Sequence, residues 1–120
     1  MIIGIVGSRR RNTKEDYQKV EEAFLKIYKD GDAICSGGCS KGGDKFAEQV
    51  AMKFKVPIKI FPARWDLYGR IAGFKRNTTI AQESDILIAC RSLDMTGGTE
   101  DTIRKFKKLK PDNEIIFVWG

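Results

Sequence analysis

The hydrophobic positions follow two different periods along the chain. Short, nearly continuous apolar runs are typical of strands buried on both faces of a parallel sheet. Longer segments with apolar residues three and four positions apart, as in Tyr17, Val20 and Phe24, predict amphipathic helices. Strands are predicted at residues 2–6, 32–36, 56–61, 85–90 and 114–119. Their alternation with helices predicts an α/β fold: a three-layer, Rossmann-like open parallel sheet of about five strands in the order 3-2-1-4-5.

Individual residues predict where these elements begin and end. Asn12 or Thr13 is the predicted N-cap of the first helix, with Asp16 three residues after Thr13 as in a capping box, and Gly31 predicts the end of that helix. Pro57, at the start of the third strand, indicates an edge position. Residues 62–73 show no clear period and predict an irregular stretch before a helix near 74–83. The length of 120 residues predicts a single domain over residues 1–120.

Composition narrows the class of protein. Hydrophobic residues make up 42% and charged residues 32%, as in a globular protein rather than a disordered one. No apolar run approaches the length that spans a membrane. The first predicted strand begins at Ile2, which leaves no room for a signal peptide, so we expect a cytoplasmic location. Cys35 and Cys90 end apolar runs, where a reduced thiol behaves as a small hydrophobe.

The charge balance favours anionic partners. The net charge of +6 suits nucleotides, nucleic acid or phosphorylated metabolites without choosing among them. Cys35 and Cys39 are spaced as a metal pair could be, but there is no histidine and only one further cysteine. We therefore expect no metal site and no bound cofactor.

Three glycine-containing turns follow predicted strands, and each could bind an anion or simply make a tight turn. Glycine lets the backbone approach an anion closely, and a helix N-terminus offers N–H groups and a positive dipole end. Because the carboxyl ends of parallel strands meet at one edge, the turns predict a single anion-binding crevice. The candidates are Gly7, Ser8 and Arg9, then Ser36, Gly37, Gly38, Gly42, Gly43 and Asp44, then Gly97, Gly98 and Thr99.

Aromatic and basic residues alternate in residues 62–73. Trp65 and Tyr68, near Arg64 and Arg70, could stack a base and bind phosphate, or the rings could simply cover the edge of the sheet.

The residues that bear these patterns resemble the YspA-related branch of the SLOG superfamily over nearly the whole chain. The matching positions are Gly7-Ser8-Arg9, Ser36-Gly37-Gly38, Gly42-Gly43-Asp44, Trp65, Gly69, Ala72-Gly73 and Arg76-Asn77. The resemblance implies a Rossmann-like fold, a nucleotide or nucleotide-derived ligand and a homo-oligomer, namely a dimer. It adds Arg76 and Asn77 to the candidate ligand-binding residues. We expect the Arg76 guanidinium to reach the crevice and to pair with a ligand phosphate, or with Asp44 when no ligand is bound.

One branch of that superfamily departs from this chain at a catalytic position. LOG phosphoribohydrolases, which release a base from a nucleoside 5′-monophosphate, carry a glutamate three residues after a Gly-Thr pair. Three residues after Thr99 this chain has Thr102. Arg76 falls where the LOG catalytic arginine would be, and Glu100 and Asp101 are nearby carboxylates that could substitute. Acids in the first turn of a helix are also favoured by the helix dipole alone.

Three functions follow as hypotheses. The first, favoured by the missing glutamate, is binding or sensing of a nucleotide-like phosphorylated ligand. The second is hydrolysis of the N-glycosidic bond, with Arg76, Asp101 or Glu100 as the candidate catalytic residues. The third is binding of single-stranded DNA, as in DprA, through Trp65, Tyr68 and the lysine-rich last helix.

Overall fold

A parallel sheet forms the centre of the computed structural model, which describes residues 1–38, 42–95 and 97–118. Every pair of neighbouring strands in this part of the chain is parallel, and the order is β3-β2-β1-β4-β5. This confirms the predicted sheet and its strand order. The strands are β1 (Ile2–Gly7), β2 (Ala33–Ser36), β3 (Ile58–Ile60), β4 (Ile86–Cys90) and β5 (Ile115–Phe117).

The segment that was predicted to be irregular contains helix. A single helical turn, α3, is followed by a 3-10 turn over Gly69–Ile71, and the next helix begins at Ala72 rather than at Phe74. The prediction failed because so short a turn carries no amphipathic period to detect. The helices are α1 (Lys14–Ile27), α2 (Gly43–Phe54), α3 (Trp65–Tyr68), α4 (Ala72–Glu83) and α5 (Gly98–Leu109).

Helix α1 begins as predicted and ends earlier. The Thr13 hydroxyl accepts a hydrogen bond from the Asp16 N–H at 3.1 Å, and the Asp16 carboxylate accepts one from the Thr13 N–H at 3.2 Å. The helix ends at Ile27 because Tyr28 adopts an extended backbone. Gly31, with φ of +94°, instead serves the turn that leads into β2.

Helices cover both faces of the sheet. On one face α1 and α2 contribute Val20, Phe24, Phe46 and Val50 to a buried cluster with Ile5 and other strand residues. On the opposite face α4 and α5 bury Ile80, Ala81, Ile103 and Phe106 against the other sides of the strands. The result is the predicted three-layer arrangement.

The outer strands are shorter than predicted. Strand β3 spans three residues at one edge of the sheet, as Pro57 indicated, and the Pro57 carbonyl accepts a hydrogen bond from the Ile34 N–H at 2.8 Å just before β3 begins. Strand β5 ends at Phe117, and Trp119, which the last predicted strand included, lies outside the described residues. In the described part of the chain, no helix is long and apolar enough to cross a membrane.

Candidate functional site

A cavity of about 280 Å³ opens at the carboxyl ends of β1 and β4. The chain leaves β1 toward α1 on one face of the sheet and leaves β4 toward α5 on the other, so a gap forms between the two connections. The described residues that line it are Val6, Gly7, Ser8, Arg9, Arg10, Asp44, Arg76, Asn77, Ile80, Gly97, Gly98, Thr99 and Thr102.

The turn after β1 forms one wall of this cavity. The Ser8 N–H donates to the Cys90 carbonyl at 2.9 Å, which fastens the turn to the end of β4. Arg10 contacts Asp94 at 2.6 Å and donates to the Ser92 hydroxyl at 3.1 Å. Arg9, in contrast, is exposed and makes no hydrogen bond or ion pair within the described residues. Its guanidinium is therefore available to an anion that enters the cavity.

Helix α4 contributes Arg76 and Asn77 to the opposite wall. The Arg76 guanidinium donates to the Gly37 carbonyl at 2.9 Å and to the Asn77 side-chain oxygen at 3.0 Å. It also lies 3.9 Å from the carboxylate of Asp44, the contact that we expected in the absence of ligand. Asp44 is buried and accepts a hydrogen bond from the Ser36 hydroxyl at 3.0 Å. The arginine is thus held at the cavity by three neighbours.

Gly42 and Gly43, the described glycines directly before and at the start of α2, pack against the β1 strand and the turn that follows it, and neither lines the cavity. A Cβ at Gly43 would lie 2.2 Å from the Gly7 nitrogen, so only glycine allows α2 to approach β1 this closely. Gly42, with φ of +70°, donates its N–H to Asn12 at 2.9 Å. Of the described residues in this turn, only Asp44 lines the cavity. Cys39, Ser40 and Lys41, which belong to the same predicted turn, lie outside the described residues.

The glycine turn before α5 does open to the cavity. Gly97 has φ of +101°, and the atom nearest to a Cβ placed on Gly98 would be the Asn77 amide nitrogen, at 3.7 Å. Thr99 and Thr102, one turn apart, are buried and line the wall. Thr96, which completes the motif in the sequence, lies outside the described residues. The N-terminal end of α5 therefore presents its dipole to the cavity.

The two candidate catalytic carboxylates are engaged elsewhere. Glu100 forms a bidentate ion pair with Arg91, whose guanidinium also lies 4.7 Å from the Phe117 ring. Asp101 lies 2.9 Å from the Lys105 ammonium and accepts a hydrogen bond from Asn77 at 3.2 Å. Neither carboxylate is among the described residues that line the cavity, whereas Thr102 is.

Two predicted ligand-binding residues lie away from this cavity. The Trp65 side chain is 59% exposed, and neither it nor Arg70 lines the cavity. Gly37 and Gly38 lie near it: Gly37 contacts Arg76, and Gly38 packs against Ile60. Arg10, Ile80 and Thr102 were not predicted to line it. Arg10 follows Arg9 in the same turn, and Thr102 follows Gly98 by one helical turn, so helical spacing was a usable signal for Thr102.

The electrostatics of the cavity suit an anion. Its described lining contains three arginines and one carboxylate, Asp44, and the start of α5 adds a positive dipole end. Among the described residues there is no group of acidic residues, cysteines and histidines that could hold a metal ion. Burial raises the pKa of Cys90, beside the cavity, to about 11, so this thiol stays protonated.

Comparison with known proteins identifies a structural relative. No family model and no curated protein matches the chain. The chain is similar to a solved structure, that of the molybdenum cofactor binding protein from the phototrophic bacterium Rippkaea orientalis, with a TM-score of 0.74 and 22% identity. The match covers 99% of this chain and 76% of that chain. At this level of identity the likeness shows that the two chains share a fold, the Rossmann-like α/β sheet with its helices on both faces.

Proposed function

We propose that this protein binds a nucleotide or a nucleotide-derived phosphorylated molecule in the cavity between β1 and β4, without turning it over. The observation that supports this most is that the α5 residues lining the cavity carry no carboxylate. They are Gly98, Thr99 and Thr102, none of which can act as an acid, a base or an ionic partner for a sugar cation. The arginines and the start of α5 would bind a phosphate, and α5 places no carboxylate at the cavity for the cleavage of a glycosidic bond.

The phosphate would bind between Arg9 and the first turn of α5. Arg9 has no competing partner in the described chain, and the glycines at the start of α5 allow an anion to approach its N–H groups. Arg76, which is already held by Gly37 and Asp44, would provide a second cation. Asp44 would repel phosphate, but its carboxylate can accept hydrogen bonds from hydroxyl groups. We therefore expect the ribose to lie beside Asp44.

The alternative, a phosphoribohydrolase, requires a carboxylate that faces the anomeric carbon. The carboxylate that already lines the cavity, Asp44, lies 3.9 Å from Arg76 and accepts a hydrogen bond from Ser36, so it is paired with the protein. To supply a carboxylate from α5, Glu100 would have to leave Arg91, or Asp101 would have to leave Lys105 and Asn77. Breaking a buried ion pair without replacing it is costly, about 3–5 kcal/mol when one partner is removed. This cost favours binding over hydrolysis.

The test combines binding and turnover. We expect at least one nucleotide in a thermal-shift screen to stabilise the protein, by about 2.7 kcal/mol at 100 times its Kd. We expect no base release from a panel of nucleoside 5′-monophosphates followed by chromatography. Base release that disappears in Glu100→Gln or Asp101→Asn would establish the hydrolase instead. Absence of any nucleotide-induced stabilisation would contradict the binding proposal.

A second candidate ligand comes from the structural relative, which binds a molybdenum cofactor. That cofactor carries a phosphate on a pterin, and the phosphate would fit the same arginines and helix end. The described residues offer no cluster of metal ligands, so the phosphate and the ring would have to provide the affinity. Including the isolated cofactor in the screen distinguishes this ligand from a nucleotide.

Binding of single-stranded DNA is the weaker alternative. Lysines on α5 and at its end already form hydrogen bonds, since Lys105 donates to the Phe74 carbonyl at 2.7 Å and Lys110, which follows α5, donates to the Gln82 carbonyl at 2.7 Å. Trp65 and Tyr68 are exposed enough to stack bases. An affinity for single strands that falls steeply with salt would support this function.

Self-association and a cytoplasmic location remain predictions. Trp65, Leu67, Ile71 and Phe74 are each more than half exposed on neighbouring turns, and an apolar surface of this kind favours contact with another protein chain. Analytical ultracentrifugation would measure whether that chain is a second copy.

A further inference from the structure

A second cavity, of about 620 Å³, adjoins the first at Arg76. It lies between α4 and the connection that leaves the carboxyl end of β3. Phe61, Arg64 and Tyr68 line one side, and Lys75, Arg76 and Thr79 line the other. Thr79 lies four positions after Lys75 and three after Arg76, so the three side chains share one face of α4. Arg76 is the described residue that lines both cavities.

The walls of the second cavity combine aromatic rings with cations. The Lys75 ammonium lies 4.6 Å from the centre of the Tyr68 ring. Arg64 pairs with Asp66 at 3.1 Å, but both side chains are more than half exposed, so that pair is easily exchanged for another. The lining in the described chain contains no carboxylate. Rings beside cations and without acids suit the flat ring of an anionic molecule.

The two cavities meet at Arg76, and together they are large enough for a ligand that extends beyond a mononucleotide. Ligand sites usually measure about 300–1,000 Å³. The first cavity, at about 280 Å³, is at the lower limit of that range, while the second is more than twice as large. Arg76, at their junction, presents a guanidinium that suits a phosphate lying between two larger groups.

We propose that the natural ligand is a dinucleotide joined through a diphosphate, with one nucleoside in each cavity and Arg76 at the bridge. The inference rests on the proposed function and specifies its ligand class. The first nucleoside and the phosphates occupy the cavity between β1 and β4. The second base stacks on Tyr68 and Phe61. Lys75, whose ammonium lies 4.6 Å from the centre of the Tyr68 ring, holds that ring in place for stacking.

The test compares two probes that carry the same number of phosphate charges. A nucleoside 5′-monophosphate and the matching symmetrical dinucleoside 5′,5′-diphosphate differ by the second nucleotide unit, that is, by one nucleoside and its phosphate, while the total negative charge near neutral pH is about the same. The base is the one that binds most tightly among AMP, GMP, CMP and UMP. By isothermal titration calorimetry we expect the dinucleotide to bind about tenfold more tightly than the mononucleotide, which is the effect of one stacked base.

Substitutions in the second cavity test whether its side chains cause the tighter binding of the dinucleotide. Tyr68→Ala and Lys75→Glu should each reduce the preference for the dinucleotide to within about twofold and leave the affinity for the mononucleotide unchanged. Both side chains are exposed, so the fold should tolerate these changes. Arg70→Ala is the matched control, because Arg70 lies in the same segment and lines neither cavity. It should keep both affinities.

The outcomes separate the two proposals. Equal affinities of the wild-type protein for the two probes would overturn the dinucleotide and leave nucleotide binding intact. A preference that survives in both Tyr68→Ala and Lys75→Glu would also overturn it, because the second nucleoside would then lie elsewhere. If neither probe binds, the proposed function itself fails, and the dinucleotide inference fails with it.

Discussion

The helices α2 and α5 begin alike in sequence and differently in structure. Each follows a strand through a pair of glycines, and neither has a side-chain cap among the described residues. Gly43, at the start of α2, packs directly on the backbone of β1, whereas Gly98, at the start of α5, opens to the cavity. The comparison shows that a glycine-rich turn serves close packing or ligand approach according to what lies opposite it.

Alanine substitutions at the two helix starts should separate these roles most strongly. Gly43→Ala would place a Cβ 2.2 Å from the Gly7 nitrogen, where only backbone could move, so we expect a loss of more than about 3 kcal/mol in the free energy of unfolding. Gly98→Ala meets no atom within 3.7 Å and should change stability by less than about 1 kcal/mol. Urea unfolding measures both. Equal losses would show that the two starts are packed alike.

Helix α1 differs from α2 and α5 because side chains cap its first turn. Burial alone would raise the pKa of Asp16, but hydrogen bonds from Arg11 and Thr13 outweigh it and lower that pKa below 3.8. The carboxylate therefore stabilises the fold above about pH 4, and this contribution is lost as the pH falls through the lowered pKa.

Removing that carboxylate should cost almost as much as the glycine substitution. Asp16→Ala leaves Arg11 buried without its ion pair and should lower the free energy of unfolding by about 3 kcal/mol near pH 7. The variant should also lose the part of the acid sensitivity that belongs to Asp16. Glu15→Gln, an exposed neighbour in the same turn, is the control. A stability that falls no further in Asp16→Ala than in this control would contradict the prediction.

The smallest effect on stability is expected for a substitution of Arg9 at the edge of the cavity. Arg9→Ala should change the free energy of unfolding by less than about 0.5 kcal/mol, because Arg9 is exposed and has no partner in the described chain. It should weaken mononucleotide binding by about tenfold, the effect of one charge-assisted hydrogen bond. Lys108→Ala, which removes the same charge from the exposed face of α5, should leave affinity unchanged. Equal affinities for the two variants would place the phosphate away from Arg9.

Several features could be predicted from the sequence because they depend on local patterns. Continuous apolar runs identified the five strands, and the Thr13 and Asp16 pair identified the start of α1. The arginine at 76 was expected beside Asp44, and the two side chains are in contact. The short helix α3 was missed because one turn of helix produces no measurable period.

The tertiary structure decided which of these residues face the cavity. Apart from α3 and the 3-10 turn after it, the sequence by itself determined the order and type of the elements, since burial on both faces and helical periodicity are properties of neighbouring residues. It could not separate Gly43 from Gly98, or Trp65 from Thr102, because their surroundings come from segments distant in the chain. Two such contacts are the close approach of α2 to β1 at Gly43 and the ion pair of Glu100 with Arg91. Contacts of this kind depend on packing between separate segments, so no pattern of neighbouring residues predicts them.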